Sequence, residues 1–90
     1  MLDISYTNKF KKDYKLIKKR GCNLEKLKNV IELLCNGRSL PEKNQDHPLI
    51  NSKEYNNVRE CHISPDWLLI YRVQDNTLQL LRTGSHSDLF

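Results

Sequence analysis

Three histidines, one aspartate and one arginine in the second half of the chain could do chemistry together. The histidines are His47, His62 and His86; Asp66 stands four residues after His62, and Arg82 four before His86. Imidazole titrates near pH ~6.5, so two of them can serve as base and acid close to neutrality. The planar donor fork of arginine can neutralise a phosphate or stabilise charge developing on it. RNA brings its own nucleophile, the 2′-hydroxyl. A base takes that proton, an acid protonates the departing 5′-oxygen, and a cation stabilises the crowded phosphorane. Histidines plus one arginine are therefore a sufficient kit for RNA cleavage without a metal. The three histidines and Asp66 also suit zinc or another divalent ion. No His-x-x-x-His or similar local pair is present, so neither metal nor cofactor is assigned.

Other residues are candidates for holding RNA. Trp67, Tyr55 and Phe90 could stack on unpaired bases. For Trp67 the competing role is core packing, and a terminal Phe90 matters only if it docks. Lys43 is a candidate phosphate contact in the same long loop as His47. Lysines crowd residues 9–19. They make either a solvated face or a surface for phosphates or an acidic partner.

The elements that must position these groups can be read from periodicity. Residues 2–6 alternate apolar and polar and predict a short strand. Thr7 offers an N-cap hydroxyl to a helix over Asn8–Arg20, in which Phe10, Tyr14 and Ile17 share one face. Gly21 suits the position that ends it. Asn23 caps a second helix whose stripe is Leu24, Leu27, Val30, Ile31 and Leu34, and Asn36-Gly37 stops it. Two such helices with a short connection form an antiparallel hairpin. Residues 38–55 show no period, and a long irregular stretch in a small domain is often functional. Strand character returns at 56–63. Ser64-Pro65-Asp66 is a turn, and residues 67–73 form the most apolar and hence central strand. Asp75-Asn76 signals a tight hairpin, residues 77–83 the last strand, and 85–90 a short tail.

The order β-α-α-β-β-β predicts a single α+β domain. The last three strands form an antiparallel meander and the helix hairpin covers one face of a small sheet. In a meander the first and third strands run in the same sense. His62, Asp66, Arg82 and His86 can therefore gather at one end of that sheet. Arg59, out of phase with His62, should face away from it.

Composition narrows the classes. Ninety residues make one small domain with a thin core. No apolar run approaches the ~20 residues that span a bilayer, and the first residues lack a signal-peptide pattern, so no membrane role and a cytoplasmic location are expected. Cys22, Cys35 and Cys61 are widely spaced and form no Cys-x-x-Cys pair. They predict small buried apolar side chains rather than a metal or redox site. The net charge of +4 favours a polyanion or an acidic partner.

Three strings, in order, resemble the YafQ group of the RelE/ParE toxin superfamily. They are Asp46-His47-Pro48-Leu49, then Arg59 to Tyr71 with Cys61-His62-Ile63-Ser64-Pro65-Asp66-Trp67 at its centre, then Arg82-Thr83-Gly84-Ser85-His86-Ser87-Asp88-Leu89-Phe90. The resemblance covers nearly the whole chain, with Glu60 and Ser85 as small departures from the residues common in the group. It implies the RelE-like fold and a type II toxin that cuts mRNA on the ribosome, without metal, by histidine acid–base chemistry. It also implies a cognate antitoxin that binds the toxin tightly and represses the shared operon, while the toxin alone is expected to be monomeric. The active-site positions it implies are His47, His62, Asp66, Arg82, His86 and Phe90, with Trp67 near the RNA. The alternative is a ParE-like toxin that binds and poisons DNA gyrase and needs no histidine cluster.

Overall fold

The computed structural model describes residues 1–49 and 57–90. In chain order the elements are β1 (Asp3–Tyr6), α1 (Asn8–Lys19), α2 (Leu24–Cys35), a 3-10 turn (Glu42–Asn44), β2 (His47–Pro48), β3 (Arg59–Ser64), β4 (Trp67–Gln74), β5 (Thr77–Gly84) and α3 (His86–Leu89). The sheet order is β1-β5-β4-β3-β2. β1 lies parallel to β5 and all other pairs are antiparallel. The expected α+β fold is present, with the helix hairpin on one face of a mixed, mostly antiparallel sheet. Three elements are additional. The irregular loop contributes the 3-10 turn and the two-residue β2, and the short tail winds into α3 instead of trailing.

Local chemistry explains the helix ends. The Thr7 hydroxyl accepts from the backbone N–H of Phe10 at 3.0 Å and donates to the Leu81 carbonyl at 2.7 Å. One side chain thus starts α1 and ties it to β5. Asn23 accepts from Glu25 N–H at 3.1 Å to start α2. The helices end at Arg20 and Asn36, each followed by a glycine with positive φ. β4 is central, and its residues Trp67 to Tyr71 are buried on both faces. Asp75 and Asn76, with φ of 52° and 59°, make the two-residue turn between β4 and β5, whose doubly left-handed backbone matches the strand twist.

Strand alternation sorts the two faces. Cys61, Ile63, Leu69, Tyr71, Leu78 and Leu80 join Phe10, Ile17, Leu27, Val30 and Leu34 of the helices in the main core. Val58, Ile70 and Leu81 form a smaller cluster on the opposite face, with Leu49 and Leu89 packed against it. β5 carries a β-bulge: Tyr71 pairs with Leu80 but Ile70 pairs with Arg82, leaving Leu81 as the extra residue. Leu78 and Leu80 face the helices, and strict alternation would send Arg82 there too. The bulge instead puts Arg82 on the face of its partner Ile70, which re-aims a charged side chain out of the core.

The cysteines are free. Cys35 and Cys61 are buried and Cys22 partly so, as their spacing predicts. Burial pushes the Cys61 thiol up to about 12, so it stays protonated and inert. No helix among the described residues is long and apolar enough to cross a membrane.

Candidate active site

The open face of the sheet brings the histidines together. His62 pairs with Leu68 across β3 and β4, and Glu60 pairs with Ile70, so both side chains share the face opposite the helix hairpin. β2 sets His47 against Glu60. The ligand atoms of His47, Glu60 and His62 all lie within 4.8 Å of one another. The rings of His62 and His86 have centroids 5.9 Å apart, and the His86 ring lies 6.4 Å from that of Phe90. Asp66 completes the group: its carboxylate accepts from His86 Nδ1 at 3.0 Å and from the His86 backbone N–H at 3.3 Å. Arg82 sits on the same face two strands from Glu60, in the row Glu60–Ile70–Arg82.

Each of these groups has its own support. His62 lies within a paired strand, and its backbone carbonyl accepts from Asn44 Nδ2 at 2.7 Å, which locks the 3-10 turn against it. Asp46, the residue before His47, is itself anchored: it accepts from Tyr71 Oη at 2.7 Å and from Arg59 Nε at 3.1 Å on the helix side of the sheet. With Asp46 held there, the next residue turns to the open face. Arg59 faces away from His62, as its phase predicts. Burial first, then the Asp46 carboxylate, push the Tyr71 phenol above its ordinary value, so its hydroxyl remains a donor.

His86 stands in the first turn of α3, which Ser85 and Asp88 close with a reciprocal capping box. Arg20, at the end of α1, grips Asp88 with two nitrogens at 2.6 and 3.1 Å. Arg20 and then the Ser85 backbone N–H hold the Asp88 carboxyl well below the usual carboxylate range. Gly84, at φ 153°, sits tight against this closure: a Cβ there would meet Asp88 Oδ2 at 3.0 Å. Arg82 is gripped by Asp13 of α1, Nε to Oδ2 at 2.6 Å and Nη2 to Oδ1 at 3.0 Å.

The hydrogen bonds fix tautomers. A carbonyl or carboxylate oxygen facing an imidazole nitrogen can only accept, so that nitrogen must carry hydrogen. His86 Nδ1 donates to Asp66, and His47 Nδ1 donates to the Pro48 carbonyl at 3.0 Å. In both rings Nε2 is the nitrogen not used by that bond. The bond with His86, side chain first and backbone second, holds the Asp66 carboxyl below its usual range.

The four sequence assignments to RNA binding fare differently. Trp67 is not available for stacking. It is 7% exposed in the core under the helices, and its indole N–H donates to Thr83 Oγ1 at 2.9 Å. Its place in the apolar strand and a polar partner for its one donor decide this in favour of the core. Phe90 is 69% exposed beside His86. Lys43 is exposed on the 3-10 turn, on the rim of a groove of about 640 Å³ that also reaches Lys26 and His62. Tyr55 lies outside the described residues.

The fold also adds residues that sequence reasoning missed. Glu60, 6% exposed, shares the histidine face, and its even spacing from His62 in a strand was the available signal. Asp13 is a carboxylate at a core-facing helical position among lysines, and that mismatch was readable. With His47 and His62, Glu60 offers two nitrogens and an oxygen to a divalent ion, the donor types that zinc and copper accept. This set differs from the three histidines and Asp66 that sequence alone put forward.

Against known proteins, residues 2–90 match the family model of the bacterial toxin of type II toxin–antitoxin systems, YafQ. The chain belongs to the YafQ toxin family. An mRNA interferase toxin YafQ of Escherichia coli (strain B / BL21-DE3) is 44% identical over 89 residues, covering 98% of this chain and 95% of that protein. The metal-bound toxin from Helicobacter pylori superposes with a TM-score of 0.91 at 43% identity, covering the whole of both chains. The Escherichia coli DinJ–YafQ complex gives a TM-score of 0.90 at 42% identity, covering 100% of this chain and 99% of that chain. Membership of the YafQ family agrees with the α+β fold described above.

Proposed function

We propose that this YafQ-family toxin is an mRNA endoribonuclease that cuts on the ribosome by 2′-hydroxyl attack and is neutralised by a cognate antitoxin. The observation that carries the reading is the His62–His86 pair, 5.9 Å apart on an open face, with His86 oriented by Asp66. A catalytic hydrogen bond spans about 3 Å, so both rings can reach one phosphodiester. In this reading His62 or His47 accepts the 2′-hydroxyl proton. His86 Nε2 protonates the leaving 5′-oxygen, and Asp66 holds its ring with Nδ1 turned away. Arg82 stabilises the phosphorane, while Phe90 stacks on a base and Lys43 meets the backbone. The names of the relatives support the class: one is an mRNA interferase toxin, and another is seen as a DinJ–YafQ toxin–antitoxin complex.

The His47, Glu60 and His62 group supports a second reading, in which those three residues hold a divalent ion. Such an ion would supply Lewis-acid stabilisation of the phosphate. A relative is a metal-bound toxin. Primer extension on mRNA translated in the presence of the protein, with and without EDTA, separates the readings. In-frame cuts that need ribosomes and survive EDTA are expected. Cuts lost with EDTA would favour the metal, and growth arrest with no cuts would return the gyrase-poison alternative.

A further inference from the structure

The geometry points to Asp13 of α1 as a positioning residue that sets Arg82 for reaction. The inference rests on the role proposed for Arg82 above and adds the group that acts through it. β1 pairs with β5 only as far as Leu80, so the β5 edge beyond is not covered by a strand. α1 covers that edge, tied to it by Thr7 through Leu81. One helical turn and a half further on, Asp13 reaches the same edge. Its Oδ2 accepts the Thr83 backbone N–H at 3.2 Å and Arg82 Nε at 2.6 Å, and its Oδ1 accepts Arg82 Nη2 at 3.0 Å. A single carboxylate thus satisfies an edge amide and grips one side of the guanidinium in a fork.

The surroundings strengthen the grip. Asp13 is 9% exposed, and burying a charged group is costly unless it is paired and hydrogen-bonded. The fork uses the Nε–Nη2 edge of Arg82, so Nη1 is the vertex turned away from Asp13. The bulge at Leu81 directs Arg82 onto the histidine face, and Asp13 fixes its rotation there. Arginine loses little entropy on forming a bond when it is already held flat. Asp13 touches no reacting atom in this arrangement. It acts on the chemistry through the place it gives to Arg82.

The test is a double-mutant cycle on single-turnover cleavage of an mRNA bound to purified ribosomes, using Asp13→Asn, Arg82→Ala and the pair. Asparagine keeps the shape and can still accept the Thr83 N–H, but it cannot hold the guanidinium as an anion does. Asp13→Asn is expected to lower the cleavage rate about a hundredfold with the half-saturating ribosome concentration within about twofold. In the Arg82→Ala background it should change the rate by no more than about twofold. Circular dichroism and the unfolding midpoint establish that the variants fold, and Asp13→Glu offers a second variant that keeps the charge and should retain most of the rate. Wild-type cleavage by folded Asp13→Asn, or losses that multiply in the double variant, would reject the brace. Full cleavage by Arg82→Ala would instead remove the arginine from the function proposed above.

Discussion

The two faces of one sheet have opposite characters. On the side under α1 and α2, alternate residues of β3, β4 and β5 are apolar and close to fully buried, and the few polar groups there are paired, as Trp67 is with Thr83. On the other side the apolar cluster shrinks to Val58, Ile70 and Leu81, and Glu60, His62, Arg82 and His47 occupy neighbouring positions. A period of two allows both patterns in the same strands. The first face supplies stability and the second is open for a ligand. The second face buries less than the first, and its site is held from behind and from the edges: Asp46 through Tyr71, Asp13 through Arg82, Arg20 through Asp88.

If that division is right, substitutions on the two faces should fail in different ways. The largest effect is expected from His86→Ala, which should cost about 10²–10⁴-fold in cleavage rate and abolish growth arrest. Its unfolding midpoint should barely move, because His86 is exposed on α3. Full toxicity in a folded His86→Ala protein would end its assignment as the acid. Leu69→Ala is the mirror image. It opens a cavity at a fully buried position, so denaturant unfolding should show a loss of roughly 2–5 kcal/mol. Cleavage per folded molecule should stay near wild type; a proportionate loss of specific activity would mean that the two faces are not separable. Thr7→Ala is a smaller perturbation at the seam. Removing an N-cap that also bonds β5 is expected to cost about 1 kcal/mol. It should slow cleavage only slightly, because Asp13 remains to hold the same edge.

The covered face was legible in the sequence because burial and periodicity are the same signal. The caps Thr7 and Asn23, the Asp75-Asn76 turn and the central place of residues 67–73 all follow from local rules, and the face opposite Arg59 was predictable from phase alone. The histidine site was legible only as a gathering at one sheet end. Its finer geometry depends on events with no local signature. The bulge at Leu81 changes the phase of β5 and thereby the face of Arg82. β2 is too short to show a period, yet it sets His47 beside Glu60. α3 exists because Ser85 and Asp88 cap four residues against Arg20, which is 68 positions away in sequence from its partner. Trp67 was readable two ways, and its burial together with the Thr83 hydroxyl decides for the core.

The smallest effect concerns that last brace, and its sign follows from the pairing. Asp88 has its pKa depressed in the folded state, first by the Arg20 hydrogen bond and then by the Ser85 backbone N–H. A depressed carboxyl contributes stability that is fully present above its unfolded value, near 3.9 for aspartate, and is lost as pH falls toward the lowered folded value. Asparagine at this position imitates the protonated form. The unfolding midpoints of wild type and Asp88→Asn should therefore differ by a constant amount above about pH 5 and converge as the pH drops below about 4. Because Arg20 is largely exposed, the gap should also narrow in high salt. A gap that persists unchanged to pH 2 would show that the ionised Asp88–Arg20 pair does not hold α3, and that the capping box alone keeps His86 beside His62.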